Sequence, residues 1–298
     1  MKKYLAVIFC AVLISCGGGG GGGSSSSSGG TSSVLTSSNT NSTGDAVLKS
    51  LNMAGTTSDV GGSTQKAIGD STRVSSPLRD VLSAAYAHIQ TQNAPQLMKA
   101  SENCSGGGSL TVSGSNLTYS QCKSGTTTFD GTLTVSTSGN KIIVTTPSFS
   151  YSETSGDTNL VLTGVTMTYN SITFSGPLIT GFDVTLTGTI TGKLEGESGM
   201  HQYSGFGIIY SSNSQGVTLS VSGSTRFSCL SDWVTFSTTT PAFFPSGSSC
   251  PTAGDISVSS GGNTTRLTVA ADKKITIYFN GTQSISVADC SSLKGVCS

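Results

Sequence analysis

Glu195, Glu197 and His201, with Tyr203 just beyond, form the densest cluster of ionisable side chains in this chain of 298 residues. Side chains alternate between faces along an extended strand, so 195, 197 and 201 fall on one side. Two carboxylates and an imidazole on one side make a ligand set that a divalent cation accepts. The same stretch also suits a hairpin tip, because Gly196, Ser198 and Gly199 interrupt strands and favour turns. A metal site needs ligands fixed in advance by their surroundings, and a tip fixes little. The tip is the favoured reading, and no metal is expected. Nor do Glu195 and Glu197 suit glycoside hydrolysis: both point the same way from one segment and cannot flank a substrate.

Other catalytic signatures are missing from the sequence. There is no G-x-S-x-G elbow, no G-x-x-x-x-G-K-[ST] loop and no H-E-x-x-H. A Ser-His-Asp triad would have to use His88 or His201, the two histidines of the chain. His88 falls in a helical stretch and reads as a partly exposed helix-face residue. The expectation is a non-enzyme with no catalytic residues and no cofactor. Trp233, Phe236, Phe243 and Phe244 make the aromatic-richest stretch and are the candidate ligand-binding residues, able to stack on a sugar or enter lipid. The competing reading buries these rings at one end of a core. Thr132/Thr134, Thr166/Thr168, Thr185/Thr187 and Thr189/Thr191 repeat as T-x-T. Ordinary strand alternation explains that pattern better than a ranked hydroxyl array, which would need equal strand lengths.

The N-terminus carries a different chemistry. Lys2 and Lys3 precede an apolar run of eleven residues, Tyr4 to Ile14, which is too short to span a bilayer of ~30 Å as a helix. Leu13-Ile14-Ser15-Cys16 follows, and then seven glycines. This arrangement resembles the lipobox signal of bacterial lipoproteins, over residues 1–16 only. The resemblance implies cleavage before Cys16 and attachment of a diacylglycerol and usually an N-acyl chain such as palmitate to that cysteine. It also implies a membrane partner reached through the lipid. Gly17 after the cysteine is compatible with sorting to an outer membrane. Between Cys16 and Thr43 nearly every residue is Gly, Ser, Thr or Asn, a composition that cannot bury enough apolar surface to offset its ordering entropy. A flexible tether of about 28 residues reaches roughly 30 Å on average.

The eight cysteines divide accordingly. Cys10 leaves with the signal and Cys16 takes the lipid. Cys104, Cys122, Cys229, Cys250, Cys290 and Cys297 form an even set in an exported chain, which implies disulfides. Fifteen connectivities are possible for six cysteines. Pairing of sequence neighbours (104 with 122, 229 with 250, 290 with 297) is the favoured one. No C-x-x-C spacing supports zinc.

Lys and Arg total 15, as do Asp and Glu, and the charged residues make up only 10% of the chain. Losing Lys2 and Lys3 with the signal makes the balance 13 against 15, so there is no basic footprint for nucleic acid.

Two periodicities place these residues on elements. Ser76-Pro77 is an N-cap followed by proline at the first helical position. Leu78, Val81, Leu82, Ala85 and Ile89 then recur at helical spacing, so a helix is predicted over 77–91. Shorter helices are expected around Ala46–Leu51 and Gln96–Ala100. From Cys104 the period becomes two, most clearly in Phe182, Val184, Leu186, Gly188, Ile190, Gly192 and Leu194. Asp130-Gly131, Gly139-Asn140, Gly156-Asp157, Asn213 to Gly216 and Asn280-Gly281 read as turns. Roughly a dozen strands with tight connections and no helices between them predict a mainly β fold. We expect a curved antiparallel meander, either a partial barrel or a two-layer sheet, with an N-terminal α-helix packed on it. The expected division is signal 1–15, Gly/Ser-rich tether 16–44, helical segment 45–102 and disulfide-stapled β domain 103–298. Two functions fit. One is a lipid-anchored outer-membrane lipoprotein whose β domain is structural or binds a surface protein partner. The alternative is a carrier or sensor of a lipid or other hydrophobic ligand held within the curved sheet.

Overall fold

The computed structural model describes residues 35–40, 43, 44 and 47, then 77–92, 101–154, 156, 158–175, 178–194, 197–227, 232–246, 248, 250–288 and 290. The expected signal, Cys16 and the glycine run lie outside the described residues, as do Cys229, Cys297 and the helix expected at Gln96–Ala100.

Helix α1 spans Pro77–Gln92. Its apolar stripe is buried through Leu78, Val81, Leu82 and Ala85. Fourteen strands follow in chain order: β1 Ser101–Asn103, β2 Ser109–Ser113, β3 Asn116–Ser124, β4 Thr127–Ser138, β5 Lys141–Glu153, β6 Asn159–Ser175 and β7 Leu178–Leu194, then β8 Glu197–Asn213, β9 Gly216–Phe227, β10 Val234–Pro245, β11 Ala253–Ser260, β12 Asn263–Val269, β13 Ile275–Phe279 and β14 Thr282–Val287. They form one sheet in which each strand pairs antiparallel with its sequence neighbours, and β1 and β14 are its two ends. The expected meander is therefore present. It is open, not a closed barrel.

Alternation decides the faces. Along β9, Val217, Leu219 and Val221 are buried while Thr218, Ser220 and Ser222 face outward. The apolar side of every long strand joins one core with α1. Tyr151 of β5 and Tyr169 of β6, both 0% exposed, tie the helix down through their hydroxyls. Tyr169 donates to the Leu78 carbonyl at 2.8 Å and Tyr151 to the Asp80 carboxylate at 3.2 Å.

The folded body starts earlier than the expected tether boundary at residue 44. Leu35 is fully buried, and its carbonyl accepts from the Asn263 amide at 2.9 Å. The backbone at Gly44 lies so close to the Ile277 side chain that a Cβ there would sit 2.5 Å from it. Thr40, Thr43 and Gly44 are helical upstream of the helix expected around Ala46–Leu51, and Val47 is helical within it. Two buried aliphatics, Leu35 and Val47, contribute enough apolar area to hold this otherwise Ser/Thr-rich segment on β12 and β13.

Asp130-Gly131 does not turn the chain, although it reads as a turn dipeptide. Both residues lie inside β4, at one of a row of β-bulges that crosses the sheet. On β7, Gly188 has φ +126° and faces the carbonyl of Gly164 in bulged β6; on β9, Gly223 has φ +90° and faces that of Gly205 in bulged β8. Gly131 of β4 has φ +106° and faces the Ser148 carbonyl of β5 in the same way. Each bulge adds a residue to one strand and sharpens the local twist. A run of 17 residues would otherwise make β6, β7 and β8 about 57 Å long and nearly straight. Bending at the seam lets their apolar sides converge on one core.

Candidate functional site

Of Glu195, Glu197 and His201, the last two both lie on β8. Leu194 pairs with Glu197, while Glu195 and Gly196 lie outside the described residues. Ser198 and Gly199 do not interrupt the strand; they pair with Lys193 and Gly192. His201 stands on the core-facing side, its ring edge-on to Phe227 at 5.0 Å and parallel to Tyr203 at 6.4 Å. Tyr203 is buried, and desolvation raises its hydroxyl pKa. An imidazole bounded by aromatic rings suits packing better than cation binding. Among the described residues, no three His, Cys, Asp or Glu side chains gather in metal-ligand geometry.

His88 corrects the expectation of a partly exposed position, since it is only 3% exposed. It continues the buried stripe of α1, and a hydrogen bond to the Gly114 backbone partly offsets the burial that lowers its pKa. The folded state then binds the proton less readily than the unfolded chain does. Stability is therefore full above the unfolded pKa of about 6.5 and falls as pH drops below it, by up to about 1.4 kcal/mol for each unit of depression. Urea denaturation at pH 7.5 and 5 should show this loss, and the His88→Gln variant should flatten that part of the profile.

The four aromatic candidates do not form one surface. Phe236 and Phe244 are buried at 2% and 1% exposure, on the core side of β10. Phe243 faces the other way and is half-buried, while Trp233 is exposed just before the strand begins. Strand parity separates residues 243 and 244, which composition alone grouped together. The predicted disulfide around them is also different. Cys104 pairs with Cys122 as expected, but Cys250 bonds Cys290 in place of Cys229. Cys250 precedes β11 and Cys290 follows β14. Val287, Ile275, Val269 and Gly254 are successive cross-strand partners, so these chain ends lie on the same side of β11–β14.

The outer face is where polar groups gather in register. Thr134, Thr145, Thr166 and Thr187 are successive partners across β4, β5, β6 and β7, a rank of four threonines with strands about 4.8 Å apart. Its ends are tied: Thr134 donates to Asn116 at 2.8 Å, and the Gly205 amide donates to Thr187 at 3.3 Å. The condition of equal strand lengths is not met, since the strands that carry the rank, β4 to β7, have 12, 13, 17 and 17 residues. A rank nonetheless exists where alternation alone was expected, although it runs beside the bulge seam. Among the charges on this face, Arg266 and Asp255 form a two-pronged pair across β11 and β12. Hydrogen bonding to Arg266 holds the Asp255 carboxyl below its usual range.

No protein-family model, curated protein or solved structure matches the chain. Among the described residues, no helix is long and apolar enough to cross a membrane; a crossing made by strands is a separate matter.

Proposed function

We propose that the chain is a lipid-anchored outer-membrane protein whose β domain acts by non-catalytic binding or as structure. One observation carries this reading: the chain's own segments cover the apolar side of the sheet. Leu78, Val81, Leu82 and Ala85 of α1, with Leu35 upstream, are buried there at 0–2% exposure. A carrier needs that side for its ligand, whereas an interaction module can fill it and present the opposite face. That face carries neutral hydroxyl ranks and few charges, which suits contact with uncharged partners better than with nucleic acid. The anchor rests on the resemblance of residues 1–16 to lipoprotein signals and on the paired cysteines. Two or more acyl chains would make attachment stable at ~0.8 kcal/mol per buried CH₂.

The test uses the full chain and its Cys16→Ser variant in a Gram-negative host. The parent should fractionate with outer membranes and the variant should appear in the soluble periplasmic fraction. Persistence of the variant in membranes would overturn the anchor. Native mass spectrometry of the soluble variant should give the bare polypeptide mass. A co-purifying mass lost on denaturation would instead establish the carrier of a hydrophobic ligand.

A further inference from the structure

The two ends of the sheet are unlike. β1 has three residues, one of them acidic, and leads directly into the Cys104–Cys122 bond. β14 has six, Thr-Gln-Ser-Ile-Ser-Val, with no charge and no proline. Shortness, charge and proline are the usual devices that stop an exposed edge from pairing with another chain. β1 has two of them. The irregularity of β14 is the register shift around Ser284, which leaves Ile285 to Val287 in regular pairing with β13.

Three further observations bear on what lies beyond that edge. Among the described residues, β14 pairs with β13 alone. Ile285 and Val287 pack on the core but stay half-buried, as core-facing residues do when a strand is missing on one side. Finally, Cys290, just after β14, is bonded to Cys250 before β11, so at that point the chain lies toward β11.

We infer that β14 is an interface for a second copy of this chain, pairing antiparallel with its own counterpart across a two-fold axis. A register centred on Ser286 sets Ile285 of one copy opposite Val287 of the other, and the reverse, on the core-facing side. Both half-covered aliphatics are then completed by the same contact. The alternative of β14 against β1 of a second copy is head-to-tail and would propagate without closing. It would also offer only the three residues of β1. The isologous pairing closes as a dimer and uses the longer edge. Its area is that of one added strand, so association is weak and reversible.

The experiment is sedimentation of the soluble full-length Cys16→Ser chain from about 1 µM to 1 mM, the range where small interfaces dissociate. The average mass should rise toward twice the monomer. Ser286 is exposed, and the two-fold axis sets it against itself, so Ser286→Lys or Ser286→Asp places like charges face to face. Each variant alone should dimerise up to about fivefold more weakly. An equimolar mixture of the two should recover at least the parent affinity. A parent that stays monomeric throughout overturns the inference. So does a dimer indifferent to both substitutions, since its interface would lie elsewhere. Neither outcome bears on the membrane anchor, which Cys16→Ser tests separately.

Discussion

Replacing Gly223 with alanine should lower the unfolding free energy by at least about 3 kcal/mol. At φ +90° an L side chain is strained, and the added Cβ would lie 2.1 Å from the Gly205 carbonyl oxygen and 3.0 Å from the Phe206 Cα. Both are backbone atoms of the paired strand β8, so relief requires the strands to separate. Gly114 provides the control. Its φ is +56° and nothing lies within 4 Å of the added Cβ, so Gly114→Ala should cost only the left-handed penalty, about 1–2 kcal/mol. Chemical denaturation of both variants reads the difference directly. Equal losses would mean that the bulge seam tolerates side chains and does not bend the sheet as described.

The Cys250–Cys290 bond should be worth more than Cys104–Cys122. Loop-closure entropy grows with the enclosed length, and these bonds span 40 and 18 residues. The chain-entropy relation gives about 4 kcal/mol for the longer loop and about 3 for the shorter. Replacing both cysteines of each pair with alanine avoids leaving a reactive thiol. The double variant at 250 and 290 should therefore melt at the lower temperature of the two. Non-reducing peptide maps should return 104 with 122 and 250 with 290. A linked peptide joining 229 to 250 would restore the neighbour pattern and remove the basis for the larger loss.

The fold was legible where a period persisted. The stripe from Leu78 to Ile89 located α1 within a residue of its observed end, and two-residue alternation revealed the meander. Asp130-Gly131 was misread because a glycine that turns a hairpin and one that accommodates a bulge have the same local chemistry. Only pairing with Phe149 and Ser150 of β5 distinguishes them. Cys104–Cys122 follows the neighbour pattern, but the partner of Cys250 was misassigned for a related reason. Cys250 and Cys290 are distant in sequence but adjacent across the strand ends, and adjacency in a sheet depends on register, which spacing does not reveal. His88 reads as partly exposed because its polarity outweighs its position, yet it is buried. The helical arithmetic from Leu78, Val81 and Ala85 already pointed it inward. The rank of threonines across β4 to β7 needed all three registers at once. As for the site, the sequence supplied candidates and the strand parities dispersed them: Phe236 and Phe244 went to the core, Trp233 stayed exposed, and His201 packed against Phe227 and Tyr203.

Strand order along the sheet repeats strand order along the chain, so nearly every strand meets its partners within a few tens of residues. Low contact order in an all-β protein favours fast folding, because few long loops must close before contacts form. The same topology gives the molecule a mechanical direction. Tension entering at Cys290 would otherwise peel an open meander one strand at a time from β14, with no closed barrel to share the load. The Cys250–Cys290 bond diverts that pull past β14, β13 and β12 to the start of β11. The last four strands therefore form a covalent loop that force cannot extend, and unzipping would have to begin at β10.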